Sequence, residues 1–178
     1  MIGLLRFVGL LNAAVWLGAA VSYTLTAAPA LVSAEVQSVL GPKSFPYFSG
    51  AIANIVLVRY FHLHFVCATL ALIHVLVEWL YLGRAPRRIW TGLLVTLFWL
   101  SLLGSFWLGP KLRELHRAQY RSNVSPGERE AAAKSFHVWE GVFQAVNVLM
   151  LAGVAVYFWR AAHPSDELRF VGSPKLRS

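Results

Sequence analysis

Four long runs of the sequence contain no Asp, Glu, Lys or Arg, and they determine the architecture that the chain predicts. They cover residues 7–34, 60–77, 89–109 and 141–159. A helix of about 20 apolar residues crosses the roughly 30 Å of hydrocarbon in a bilayer. The pattern therefore predicts four membrane-spanning helices, spans 1 to 4, at about residues 4–28, 50–82, 88–109 and 135–160.

The connections between the spans also show helical patterns. Apolar residues recur at helical spacing within 31–40, which predicts a short helix on the membrane surface. Charged residues recur at helical spacing within 111–121, so we expect span 3 to continue as a helix outside the membrane. Ser125, Pro126 and Glu128 fit a capped helix start ahead of span 4. The predicted fold class is all-α, a four-helix transmembrane bundle with a surface helix between spans 1 and 2 and an extramembrane helical extension between spans 3 and 4.

Composition supports a membrane location. The 178 residues are 57% hydrophobic and 13% charged, which is too apolar for one small soluble domain. Residues 1–162 are predicted to form a single transmembrane domain, followed by a polar tail at 163–178. The first apolar run is longer than the core of a secretory signal, so we expect it to stay in the protein as span 1.

The net charge of +8 lies mostly outside the spans. Arg84, Arg87 and Arg88 cluster in the short connection between spans 2 and 3, which favours cytoplasmic termini in a multi-pass integral membrane protein. The partners predicted are the lipid bilayer and either other membrane subunits or further copies of the chain. No motif indicates nucleic acid.

Spans 2 and 4 carry matching polar stripes. At about 100° per residue, each stripe occupies an arc of about 80°. The stripe of span 2 contains Tyr60, His64, Cys67, His74 and Glu78, and that of span 4 contains His137, Glu140, Gln144 and Asn147. Span 1 has a weaker counterpart in Asn12, Trp16 and Tyr23. Ionisable groups within a membrane usually face the protein interior, so we expect spans 1, 2 and 4 to surround a polar site while span 3 mainly packs.

Depth, counted along the helices, predicts which of these groups meet. It places His64 and Cys67 level with His137 and Glu140, with Tyr23 in the same group. Imidazole and thiolate bind zinc, copper and iron, and histidines from two helices can hold a haem iron. The predicted metal ligands are His64, Cys67, His137 and Glu140, and the predicted binding residues for haem b are His64, His137, Glu140 and Tyr23.

The deeper polar groups suggest other roles for the same stripes. A relay for protons is predicted from Asn12, His74, Glu78, Gln144 and Asn147. The alternatives are simple hydrogen bonds between helices, a His74–Glu78 pair, and a packing role for Cys67.

Short motifs along almost the whole chain resemble those of one family. They are Leu5-Arg6-Phe7, Trp16-Leu17-Gly18, Ala28-Pro29-Ala30, Phe45-Pro46-Tyr47-Phe48, Gly109-Pro110-Lys111, and Phe136 with Gly141 and Asn147. In this order and spacing they resemble the transmembrane protein 205-like family, in which a histidine directly precedes the glycine of the last helix; this chain has Glu140 there. The resemblance implies a four-helix bundle and no established reaction. The first helix is more distantly similar to copper-resistance D-type proteins and to haem-binding protoporphyrinogen oxidases, which implies haem or copper.

Three functions fit these observations. The bundle could bind haem or a transition metal and transfer electrons to a partner or a quinone. It could be a non-catalytic accessory or structural subunit of a membrane complex. It could carry protons or small molecules, with His64 and Glu140 joining the relay. Catalytic residues are not identified, because the chain contains no hydrolase or phosphate-binding motif.

Overall fold

The computed structural model describes residues 2–83, 87–121, 123 and 125–163, and the secondary structure in these ranges is helical. Its α-helices are α1 (Ile2–Ser22), α2 (Ala28–Leu31), α3 (Ala34–Leu40), α4 (Phe45–Leu82), α5 (Arg88–Leu103), α6 (Gly109–Gln119) and α7 (Pro126–Ala162). Two π-helical turns, Tyr23–Ala27 and Gly104–Leu108, join α1 to α2 and α5 to α6. Of the predicted tail at 163–178, all but His163 lies outside the described residues.

Four helical rods are long and apolar enough to cross a membrane. They are Gly3–Leu31, Phe45–Tyr81, Arg88–Gln119 and Pro126–Ala162. The predicted all-α fold with four transmembrane helices is therefore confirmed. The surface helix is confirmed as α3, and the helical extension after span 3 is confirmed as α6.

Both α4 and α7 begin several residues before the membrane spans that the sequence predicts. The predictions began at about residues 50 and 135, whereas α4 begins at Phe45 and α7 at Pro126. A helix begins where its first turn can be capped, not where hydrocarbon begins. Ser125 and Glu128 form a capping box at the start of α7, as the sequence predicts.

The rods pack so that α4 contacts α1, α5 and α6, and α7 contacts the same three helices. Glycines allow the closest approaches. A Cβ atom on Gly9 would lie 2.6 Å from the His74 ring, and one on Gly104 would lie 2.2 Å from the Phe61 ring. Glycine thus fixes the spacing of α4 from α1 and from α5.

Arginines of two helices lie at the end of the bundle that carries the N-terminus, and we take their level as the membrane edge on that side. Arg6 follows Leu5, whose carbonyl oxygen lies 2.8 Å from Nε2 of His74 on α4. The Arg160 guanidinium of α7 lies 4.6 Å from the centre of the Trp90 ring of α5. Ten residues along α1 from Arg6, or back along α4 from His74, correspond to about 15 Å, which is half the hydrocarbon thickness. With the membrane edge at this level, we expect Trp16 and His64 near the middle of the membrane.

Candidate functional site

Polar side chains of α1, α4 and α7 meet in the interior of the bundle. The Trp16 indole N–H donates to Nδ1 of His64 over 2.8 Å. The Tyr60 hydroxyl donates to Oδ1 of Asn147 over 2.6 Å, and Nδ2 of Asn147 donates to the Thr24 hydroxyl over 3.0 Å. Spans 1, 2 and 4 surround this polar cluster, as the stripes predicted. We call these five residues the central cluster.

His64 is the least satisfied member of the central cluster. Its side chain is fully buried, at 0% exposure. An indole N–H can only donate, so Nδ1 of His64 accepts, and the neutral imidazole carries its hydrogen on Nε2. Nε2 has no hydrogen-bond partner in the described part of the chain. Leaving a buried donor unpaired costs about 1–3 kcal/mol, so the arrangement is unfavourable unless something else binds Nε2.

Aromatic rings surround His64. The Tyr60 ring centre lies 4.2 Å from that of His64, and the Trp16 ring centre lies 6.0 Å away. Tyr157 packs edge-on against Trp16, and Tyr23 stacks on Tyr60 with centres 4.1 Å apart. Tyr23, predicted as a cofactor-binding residue, thus reaches His64 only through Tyr60.

Other residues of the stripes form separate bonds between helices. Nδ2 of Asn12 donates to the Cys67 carbonyl oxygen over 3.0 Å. The ring N–H of His74 donates to the Leu5 carbonyl oxygen, and the ion pairs of the described residues do not include one between His74 and Glu78. The Cys67 side chain is buried in the apolar core.

The predicted depth match between α4 and α7 is also wrong. The prediction placed His64 level with His137, whereas the bond from Tyr60 to Asn147 shifts the two helices by roughly fourteen residues, about 21 Å. The error arises from the predicted start of span 2. Its uncharged run starts after Arg59, yet Arg59 lies within the membrane-spanning helix on an exposed face. A long arginine side chain can reach the headgroups from inside the hydrocarbon, so the end of an uncharged run does not mark the membrane edge.

His137 and Glu140 accordingly lie on the outer surface of α7. Their side chains are 77% and 44% exposed, and Nδ1 of His137 lies 3.5 Å from the Glu140 carboxylate. Gln144, one turn further along, is also exposed. The prediction that His137 and Glu140 face His64 is wrong, and a proton relay from His64 to Glu140 has no path through these contacts.

The predicted metal and haem ligands do not fit this geometry. Within the described ranges, no group of three or more His, Cys, Asp or Glu residues is arranged to hold a metal ion. His64 and His137 are far apart in depth and cannot bind one haem iron from both sides. Nδ1 of His64 accepts from Trp16, so binding a metal through Nε2 would require the ring to change tautomer and lose that bond.

Sequence reasoning missed a second buried histidine, His116. Its Nε2–H donates to the Tyr47 carbonyl oxygen over 3.0 Å, and its ring stacks on that of Tyr47. It was missed because the charged residues of α6 suggest a fully solvated helix. Leu112 and His116 are four residues apart and both buried, and this spacing is the signal that could have revealed the contact of α6 with α4.

The fold and the central cluster define a multi-pass integral membrane protein with a polar centre enclosed by three helices. The chain belongs to the family described as "Domain of unknown function (DUF4149)", whose model matches residues 11–121. The matched range contains Trp16 and His64, whereas α7 lies beyond it. No curated protein and no solved structure matches the chain.

Proposed function

We propose that this protein binds a neutral, lipid-soluble molecule through a hydrogen-bond acceptor, such as a carbonyl oxygen, at Nε2 of His64. The observation that carries the proposal is the unpaired Nε2–H of a fully buried histidine near the middle of the membrane. An acceptor on the ligand would remove the cost of leaving that donor unpaired.

The surroundings of His64 favour a neutral and flat ligand. The part of the chain that the structure describes places aromatic rings around the imidazole, and flat molecules stack well on such rings. A charged ligand would lose its hydration at this depth at high cost. Because the surrounding helices face lipid, the molecule would reach the site from the hydrocarbon after side chains such as Tyr157 rotate.

Duroquinone and durene test this proposal because they share a ring but differ in their carbonyl groups. Purified protein in lipid nanodiscs is heated with either compound, and unfolding is followed by circular dichroism. Duroquinone should stabilise the wild-type protein by about 1.4 kcal/mol when its concentration is about ten times its Kd. Durene, which has no acceptor, should leave stability unchanged.

His64→Leu removes the donor, and His62→Leu is the matched control on the same helix. His62 is exposed, its ring bonds the Val58 carbonyl oxygen of its own helix, and its ring centre lies 6.1 Å from that of Phe106, away from the central cluster. Stabilisation by duroquinone should persist in His62→Leu and disappear in His64→Leu. Equal stabilisation of both variants, or none in the wild type, would show that His64 is not a ligand-binding group.

A second candidate is an accessory subunit that docks through the outer face of α7. Gln144 is exposed. Asn147 bonds Tyr60, which is four residues from His64, and Gln144 is three residues further from the middle, so its depth is about 10 Å from the middle of the membrane. An exposed amide at that depth is costly in lipid, and a partner helix would satisfy it. Native mass spectrometry after mild solubilisation should detect a complex that Gln144→Leu weakens; monomer alone at every detergent concentration would contradict this role.

Two finer predictions remain with this proposal. We expect the termini to be cytoplasmic, as the arginine cluster between spans 2 and 3 favours. The likeness to the transmembrane protein 205-like family implies the same bundle, and it adds no reaction to the proposed binding.

A further inference from the structure

A basic, aromatic cavity lies at the end of the bundle opposite the N-terminus. Its volume is about 500 Å³, and it is lined by Tyr47 of α4 and by Arg117, Tyr120 and Arg121 in and after α6. It is separate from the central cluster and independent of the function proposed for His64.

The packing of His116 builds this cavity. The ring of His116 is stacked on Tyr47 and lies against Gly50, where a Cβ atom would be 2.2 Å from the imidazole. This contact holds α6 against the start of α4. Tyr120 packs edge-on against Tyr47, with ring centres 5.4 Å apart. The two tyrosines therefore pack against each other beside the two arginines.

The charges of the cavity are not neutralised by the protein. Among the described residues, Arg117 and Arg121 have no ion-pair partner, since Glu114 on the same helix pairs with Lys111. The residues that line the cavity include no carboxylate. Two guanidinium groups four residues apart can bind one phosphate through several N–H donors.

The cavity lies at the outer edge of the lipid headgroups. Tyr47 precedes His64 by seventeen residues of continuous helix, which corresponds to about 25 Å from the middle of the membrane. Headgroups extend to about 20–22 Å from the middle, and the arginine side chains are long enough to cover the difference. Tyrosine is also enriched at this level of membrane proteins.

From the charge, the depth and the aromatic walls of the cavity, we infer that it binds the phosphate of an anionic phospholipid. The acyl chains then extend from the cavity into the hydrocarbon, while the phosphate contacts Arg117 and Arg121. A free phosphate ion would share the headgroup chemistry but would gain nothing from the membrane-facing position of the site.

Native mass spectrometry of the purified full-length chain tests this inference. The protein is incubated with equal amounts of phosphatidylglycerol and phosphatidylcholine in detergent, and the retained lipid is counted. The wild type should prefer phosphatidylglycerol. Arg117→Gln with Arg121→Gln should lower that preference by about 10- to 30-fold, since each arginine near the membrane surface contributes severalfold to anionic lipid binding.

The matched control is Arg87→Gln with Arg88→Gln, which removes the same charge at the other end of the bundle. This control should retain the wild-type preference, and millimolar inorganic phosphate should not displace the lipid. Equal loss in both double variants would mean diffuse attraction and would overturn the site. Displacement by inorganic phosphate would assign the cavity to a soluble anion and would also overturn the inference.

A folding defect is separated from lost binding by a second variant. Arg117→Lys with Arg121→Lys keeps the charge but not the planar donor group, so it should show an intermediate preference with an unchanged unfolding temperature. If it binds as weakly as the glutamine variant while remaining folded, the planar donors are essential. If it binds fully, the arginines act only as charges and the assigned phosphate geometry is wrong.

Discussion

Trp16→Ala is expected to lower the free energy of unfolding by about 3–5 kcal/mol, the largest effect at any single position considered. Trp16 is fully buried, so its removal leaves a cavity beside His64 and Tyr157. It also removes the donor to Nδ1 of His64. Unfolding of the purified protein in mixed micelles with increasing sodium dodecyl sulfate, followed by circular dichroism, measures the change.

Trp16→Phe separates packing from hydrogen bonding. It keeps most of the ring and removes only the N–H, so we expect a smaller loss of about 1–3 kcal/mol. Trp99→Phe, at an exposed tryptophan of α5, should leave stability unchanged. If Trp16→Phe were as stable as the wild type, the bond to His64 would contribute nothing, and the assigned tautomer of His64 would lose its support.

Gly104→Ala should destabilise the bundle by about 1–3 kcal/mol through overpacking. The added methyl group would lie 2.2 Å from the Phe61 ring, and Phe61 is fully buried, so the ring cannot move into open space. Gly92→Ala is the matched control in α5, because nothing lies within 4 Å of its new Cβ atom. The same unfolding measurement applies.

A second substitution checks the cause of this effect. Phe61→Ala in the Gly104→Ala background should cost less than Phe61→Ala alone, because the smaller side chain makes room for the methyl group. Residues in contact show such non-additive energies. Strict additivity would mean that Gly104 matters through backbone flexibility and not through its contact with Phe61.

The fold follows from sequence more reliably than the helix ends do. Runs without charged residues predict the four crossings, because hydrocarbon excludes unpaired charge from long segments. The starts of α4 and α7 do not follow from those runs. They depend on capping at Ser125 and on the proline of Phe45-Pro46, which act outside the membrane.

The candidate site follows from sequence only in part. The stripes identify the three helices that enclose the central cluster, since a helix buries its polar face against others in lipid. They do not identify the partners, because partners depend on how far each helix slides along the next. That relative shift is set by close contacts such as Gly104 on Phe61 and Gly153 on Leu97, which no periodicity within one helix reveals. The pairing of Trp16 with His64 depends likewise on how far α1 slides along α4, where the close contact is that of Gly9 with His74.

The two π-helical turns change which side of the helix faces the bundle in the segments that follow them. Pro29 and Pro110 each follow a π turn, and the residues four positions earlier, Leu25 and Phe106, lie inside those turns. A proline ring clashes with the carbonyl group four residues before it, and the wider π turn relieves that clash. The extra residue also rotates the following segment by about 100° relative to an uninterrupted α-helix. The π turn at Gly104–Leu108 thus changes which face of α6 lies against α4, and His116 is on that face.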